Sequence, residues 1–144
     1  MTRTFSTRAV PILTFFLIAF SQCFSQSDWN ILKEAKALPS VNNKVTVKGF
    51  PFDKTLYISK DSLNQGFSIT LQDPSYKVIF FRLVYDCEDC DIWETIIYGN
   101  RVTVNDAPIL KRLKKNELLS FVLFKVEKNG KYFTVPEQNI IVTD

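Results

Sequence analysis

From residue 45 to the C-terminus, the sequence is a succession of short segments rich in β-branched and aromatic residues. Turn-forming residues separate them at intervals of about 8–12 residues, a spacing typical of antiparallel β-sandwiches. Phe67–Leu71 alternates apolar and polar side chains, as does a strand with one buried face. Tyr76–Tyr85 is apolar on both faces, which predicts an interior strand. We therefore expect an all-β fold, an antiparallel β-sandwich with a short N-terminal helix.

Local sequence also predicts two hairpins. Asn129–Gly130 lies between two strand-like segments and is a strong two-residue turn signal. Tyr76–Tyr85 and Ile92–Tyr98 are separated by six residues, so they are expected to pair in antiparallel fashion. Aligning them about the centre of the gap places Tyr85 opposite Ile92.

The N-terminus has the layout of a secretory signal peptide, predicted over residues 1–25. Its apolar run, Val10–Phe20, is shorter than the ~20 residues that a membrane-spanning helix needs. Small side chains near the end predict cleavage between Ser25 and Gln26, which would make the protein periplasmic or secreted. Cys23 leaves a lipid anchor as an alternative, although the bulky Gln22 precedes it where the lipoprotein signal has a small residue.

The remaining chain divides into a leader, residues 26–44, and a β-domain, residues 45–144. Asp28–Leu38 has an apolar stripe at helical spacing, and Asp28 is a candidate N-cap. Pro39 ends the pattern. The leader is therefore expected to form a short helix, with a poorly ordered segment as the alternative.

Composition narrows the possible chemistry. Histidine is absent, which excludes Ser-His-Asp and Cys-His catalysis and the common histidine zinc sites. Four scattered glycines form no phosphate-binding loop. Removing Arg3 and Arg8 with the signal leaves sixteen basic and fifteen acidic side chains, so nothing favours nucleic acid as a partner. We expect no catalytic residues, no metal and no cofactor.

Cys87 and Cys90 form a CxxC motif in the gap between the paired strands. A thiolate zinc site needs further ligands, and a thioredoxin-like site needs a helix after the motif. Neighbouring carboxylates raise a thiol pKa and so disfavour redox catalysis. We expect a structural disulfide, because export favours it and signal removal leaves only these two cysteines.

Two charged clusters are candidate contact sites. Oxygen ligands of an acidic tip make calcium a possible ligand, although a solvated hairpin tip is the simpler interpretation. A compact basic patch is a candidate contact for an acidic partner or for lipid headgroups, with a solvated turn as the alternative. The acidic tip consists of Asp86, Glu88, Asp89 and Asp91. The basic patch consists of Lys111, Arg112, Lys114 and Lys115.

Residues 67–142 resemble the C-terminal β-domain of GldM, the gliding-motility and type IX secretion protein of Bacteroidota. The resemblance depends on the order of several segments along the chain. They are Val78–Phe81, Tyr98–Asn100, Ile109–Glu117, Val122–Lys128, Asn129–Gly130 and Ile140–Val142.

The resemblance implies an immunoglobulin-like sandwich that acts in protein assembly in the cell envelope, without catalytic residues. We expect the chain to depart from GldM in having no spanning helix and no helical periplasmic domain, and Asn116-Glu117 replaces a Gly-Asp-like step. We therefore expect an exported protein-interaction module. The alternatives are a small-ligand, glycan or calcium binder using Phe50, Phe52 or Trp93, and a thiol oxidoreductase at the CxxC motif.

Overall fold

The computed structural model of the protein describes residues 25–144. The predicted signal peptide lies outside these residues except for Ser25, and so does Cys23. The described chain is mostly β, as predicted. Its elements are α1 Gln26–Ala37, β1 Val45–Val47, β2 Thr55–Ser59, α2 Lys60–Asn64, β3 Phe67–Leu71, β4 Lys77–Asp86, β5 Trp93–Tyr98, β6 Arg101–Val102, a 3₁₀ helix Pro108–Arg112, β7 Leu118–Lys128, β8 Lys131–Phe133 and β9 Gln138–Thr143.

The leader forms a helix that begins earlier than predicted, because Ser25 rather than Asp28 is its N-cap. The Ser25 hydroxyl accepts a hydrogen bond from the Asp28 N–H, and the Asp28 carboxylate accepts one from the Ser25 N–H. This reciprocal arrangement is a capping box. Cleavage between Ser25 and Gln26 would remove this cap.

Helix α1 packs on β7 of the larger sheet. Its side chains Leu32 and Ala35 are buried. An ion pair of 2.6 Å between Lys125 of the sheet and Glu34 of the helix joins the two elements. Burial of this apolar stripe explains why so short a helix is stable, since an isolated helix of this length is marginal in water.

The larger sheet has the strand order β2-β9-β7-β4-β5, with β8 paired to the end of β7. The prediction of a wholly antiparallel sandwich is wrong at one pair, because β2 and β9 run parallel over five residues. Almost the whole β-domain lies between these two strands, so no hairpin turn fixes their relative direction. The other pairs in this sheet are antiparallel.

The smaller sheet has the order β1-β3-β6 and is antiparallel. Both sheets contribute to one hydrophobic core. Phe67 of the smaller sheet contacts Phe121 of β7 with ring centroids 5.8 Å apart. Phe121 in turn contacts Phe81 at 5.4 Å, and Phe81 stacks on Phe124 at 5.2 Å. This aromatic cluster connects the two sheets.

The predicted hairpin between β4 and β5 is confirmed, but its predicted register is wrong by one residue. Tyr85 pairs with Trp93 rather than with Ile92. A one-residue slip reverses the faces of a strand. The observed register buries Ile97 fully and Trp93 partly against the core. Ile92 and Tyr98 are therefore exposed, by 61% and 64%.

A pair of compensating bulges interrupts the pairing of β4 with β7. The register shifts on either side of the Phe80–Lys125 pair and then returns. Leu123 lies in the extra segment of β7 with φ 52°, a left-handed conformation that is uncommon for leucine. The bulges interrupt the alternation of faces along β4, so that Phe80 and Phe81 are both buried whereas Ile79 is only half-buried.

Buried polar side chains attach loops to the sheets. Asn43 donates to the Asp73 carbonyl at 3.1 Å and accepts from the Asp73 N–H at 2.8 Å. Thr46 donates to the Pro51 carbonyl at 2.7 Å, and Gln138 donates to the Asp53 carbonyl at 2.8 Å. Each of these buried groups therefore has a partner.

Asn43→Ala is expected to lower the free energy of unfolding by about 1–3 kcal/mol, because it leaves backbone groups of Asp73 without their bonds. Asn42→Ala is the matched control, since Asn42 is exposed, and it should change stability by less than about 0.5 kcal/mol. Denaturant unfolding of both variants measures the difference; equal stabilities would contradict this role of Asn43.

Candidate functional site

The hairpin tip between β4 and β5 contains the CxxC motif. The Cα atoms of Cys87 and Cys90 lie 5.5 Å apart, with the sulfur atoms at bonding distance. This Cα separation is within the usual range for disulfides. The four carboxylates of the acidic tip are all exposed around the pair.

The acidic tip and part of the basic patch lie at the same end of the larger sheet. Asp86 at the end of β4 pairs with Leu118 at the start of β7. The turn before β7, residues 114–117, therefore lies beside the tip. A cleft of about 570 Å³ separates the two, with Glu88 and Asp89 on one wall and Lys114 and Lys115 on the other.

The four residues of the basic patch do not lie together in the structure. Lys111 and Arg112 are exposed at the end of the 3₁₀ helix and do not line the cleft. Lys115 lies 2.8 Å from the Asp144 carboxylate. Their hydrogen bond and opposite charges raise the pKa of Lys115 and lower that of Asp144. Lys115 is thus already paired within the chain.

Glu117 connects the turn to β4. Its carboxylate accepts a hydrogen bond of 2.6 Å from the Lys114 N–H. Burial of Tyr85, together with its hydrogen bond to Glu117 and the charge of that carboxylate, raises the pKa of the Tyr85 hydroxyl to about 12. Tyr85 is therefore protonated at any physiological pH and holds Glu117, which lines the cleft, against β4.

The aromatic residues considered for ligand binding do not converge. Phe50 and Trp93 are half-buried and pack against the core. Phe50 lines a cavity of about 290 Å³, whereas Phe52 lines another of about 220 Å³. Trp93 lines neither of these. The geometry therefore forms no shared aromatic platform.

The free edge of β5 was not predicted from the sequence. Among the described residues, β5 pairs only with β4. Gly99 N–H donates to the Ile79 carbonyl at 2.8 Å. Because hydrogen-bonded pairs alternate along an antiparallel ladder, Thr95 and Ile97 bond to β4. The backbone groups of Glu94, Ile96 and Tyr98 therefore point away from the sheet.

This edge lacks several of the usual protective features. Free edges are commonly blocked by lysine, proline, a bulge or very short length. Residues 93–98 contain no lysine or proline, and β5 pairs with β4 without irregularity. Its one charged side chain, Glu94, accepts a hydrogen bond from Arg82 in an ion pair. At the opposite edge, β2 is flanked directly by Lys54 and Lys60.

Comparison with known proteins adds no assignment. The sequence matches no protein-family model and no curated protein at a significant level. The resemblance to GldM therefore stays a prediction. Within residues 25–144, no three His, Cys, Asp or Glu side chains form a group that could hold a metal ion. The helices of the same range are too short or too polar to cross a membrane.

The raised pKa of Tyr85 predicts a pH dependence of stability. The folded state keeps the phenol proton to about pH 12, whereas an unfolded tyrosine releases it near pH 10. The stabilisation is fully present below pH 10 and is lost as the pH rises towards 12. Tyr85→Phe should therefore show a shallower decline in unfolding free energy over this window. Identical declines in the two proteins would contradict the assignment.

The disulfide prediction is tested by intact mass. Iodoacetamide without reductant should add no mass at Cys87 or Cys90, and reductant first should add two groups. A Cys87→Ser/Cys90→Ser variant should keep the fold and lose about 2 kcal/mol, because so short a loop restricts the unfolded chain only slightly. Alkylation of either native cysteine without reductant would show that they are not bonded.

Proposed function

We propose that the protein is an exported, non-catalytic interaction module that binds another polypeptide along the free edge of β5. The observation that carries the proposal is an unprotected strand edge with exposed apolar residues at both ends, Ile92 and Tyr98. Such an edge is a template for an added strand, in which main-chain hydrogen bonds supply affinity and flanking side chains supply specificity.

The sequence supports the absence of catalysis in this proposal. The chain contains no histidine. The acidic tip surrounds the CxxC motif with carboxylates, which disfavour thiolate formation. The motif lies between two strands and not at the start of a helix. The start of a helix is the position that activates a redox cysteine.

An immunoglobulin-like arrangement and a role in a cell-envelope assembly belong to the same proposal. They depend on the resemblance of residues 67–142 to the C-terminal domain of GldM. Two sheets around one core are consistent with it. Export depends on the signal-like residues 1–25 and agrees with paired cysteines.

The proposal is tested by photo-crosslinking from the edge in the native host. A benzophenone amino acid replacing Tyr98 should give a discrete adduct with a polypeptide. The same group replacing Tyr57, an exposed residue on β2 at the opposite edge, is the matched control and should not give that adduct.

Ile96→Pro should abolish the adduct, because it removes an N–H that points to the free edge without removing a hydrogen bond to β4. Circular dichroism checks that the variant remains folded. An adduct that is equally strong from Tyr57, or that survives Ile96→Pro in a folded protein, would contradict strand addition at β5.

A further inference from the structure

The free edge of β5 is self-complementary, and we infer that the polypeptide it binds is β5 of a second copy of this chain, paired antiparallel about a two-fold axis at Thr95. This inference depends on the proposed function, since it names the occupant of the same edge. The resulting dimer would extend the larger sheet continuously from one protomer into the other.

The faces of the strand determine which registers are possible. Ile97, like Trp93, lies on the core side, whereas Glu94 and Arg82 form an ion pair on the opposite face. Directly paired residues in antiparallel strands share a face. The two-fold axis must therefore pass through a residue and not between two residues, because the second arrangement would place core-side residues opposite outward ones.

Among these registers, an axis at Thr95 pairs the exposed apolar residues of one protomer with those of the other. It places Ile92 opposite the partner's Tyr98, and by symmetry Tyr98 opposite the partner's Ile92. These two residues are the large exposed hydrophobics of this edge, at 61% and 64%. The ring of Tyr98 is already held by an edge-on contact with Phe80, with centroids 6.3 Å apart. Moving the axis to Glu94 or Ile96 loses this match.

Backbone polarity agrees with the same axis. Glu94 and Ile96 point their N–H and C=O groups to the free edge, as argued from the Gly99–Ile79 bond. With the axis at Thr95, Glu94 pairs with the partner's Ile96, and the two exchange hydrogen bonds. Thr95 then forms a non-hydrogen-bonded pair with its own symmetry mate, in which the two Cα atoms lie about 4.5 Å apart.

Charge favours the antiparallel arrangement over a parallel one. The acidic tip lies just before β5, whereas Arg101 is exposed just beyond the other end of the strand. Antiparallel pairing brings the acidic tip of each protomer to the basic end of its partner. A parallel pair would bring two acidic tips together, and such like-charge contact is unfavourable.

The interface is expected to be weak. A single strand pair buries less than the roughly 1,200–2,000 Å² of a stable specific interface. Sedimentation velocity of the full chain should therefore show a monomer that converts to a dimer as concentration rises. Ile96→Pro should weaken the dimer about tenfold or more, since each copy loses a hydrogen bond at the interface. Tyr57→Ala at the opposite edge is the control and should leave the dimer unchanged.

Cysteine variants test the register directly. Thr95→Cys alone should form a disulfide-linked dimer under mild oxidation. Ile92→Cys mixed with Tyr98→Cys should form a mixed dimer, whereas each of these variants alone should not. Non-reducing electrophoresis and intact mass identify the products, and the native pair at Cys87 and Cys90 serves as an internal reference.

The outcomes separate this inference from the proposed function. A protein that stays monomeric, or a dimer that ignores Ile96→Pro and gives no Thr95→Cys link, would overturn the inference. In that case a photo-adduct from Tyr98 to a different polypeptide, lost in Ile96→Pro, would still support strand addition. Absence of both the dimer and the adduct would overturn both.

Discussion

The pairing of β4 with β7 is the constraint on which the rest of the structure depends. These two long strands carry Phe81, Phe121 and Phe124, whose rings form the centre of the core. The smaller sheet packs on this cluster through Phe67, and α1 packs on β7. The compensating bulges around Phe80 shift the register and then restore it, so the two strands are paired on both sides of the irregularity.

The same pairing places the charged clusters together. The acidic tip and the turn that contains Lys114 and Lys115 are about thirty residues apart in sequence, yet the Asp86–Leu118 pair brings them to one cleft. Lys115, which lines that cleft, forms an ion pair with Asp144. Glu117 is hydrogen-bonded to Tyr85 and to the Lys114 N–H. Internal pairing therefore occupies Lys115 and Glu117 on the turn side of the cleft, and the β5 edge is the stronger candidate for contact with another molecule.

Sequence reasoning was most successful where structure is local. The strand Phe67–Leu71 and the Asn129–Gly130 turn follow from alternation and turn chemistry, and both are found. The parallel pairing of β2 with β9 was missed because no local signal encodes the direction of strands that are distant in the chain. The register of the β4–β5 hairpin was wrong because it is decided by the burial of Ile97 and Trp93 against the core, not by the centre of the connecting loop.

The candidate site also has a part that the sequence predicts and a part that it does not. Residue types in the hairpin tip and the basic patch are visible in the sequence, but their proximity depends on a long-range pair. The free edge has no sequence signal of its own, because a pattern of apolar residues predicts a strand without indicating how many neighbours it has.

The sequence does contain an apolar strand between two ends of opposite charge: the acidic tip before Trp93, and Arg101 beyond Tyr98. An apolar edge alone invites indiscriminate pairing. In the strand addition that we propose, charges of opposite sign at the two ends of β5 would favour one direction of pairing, and the acidic tip would help to orient the added strand.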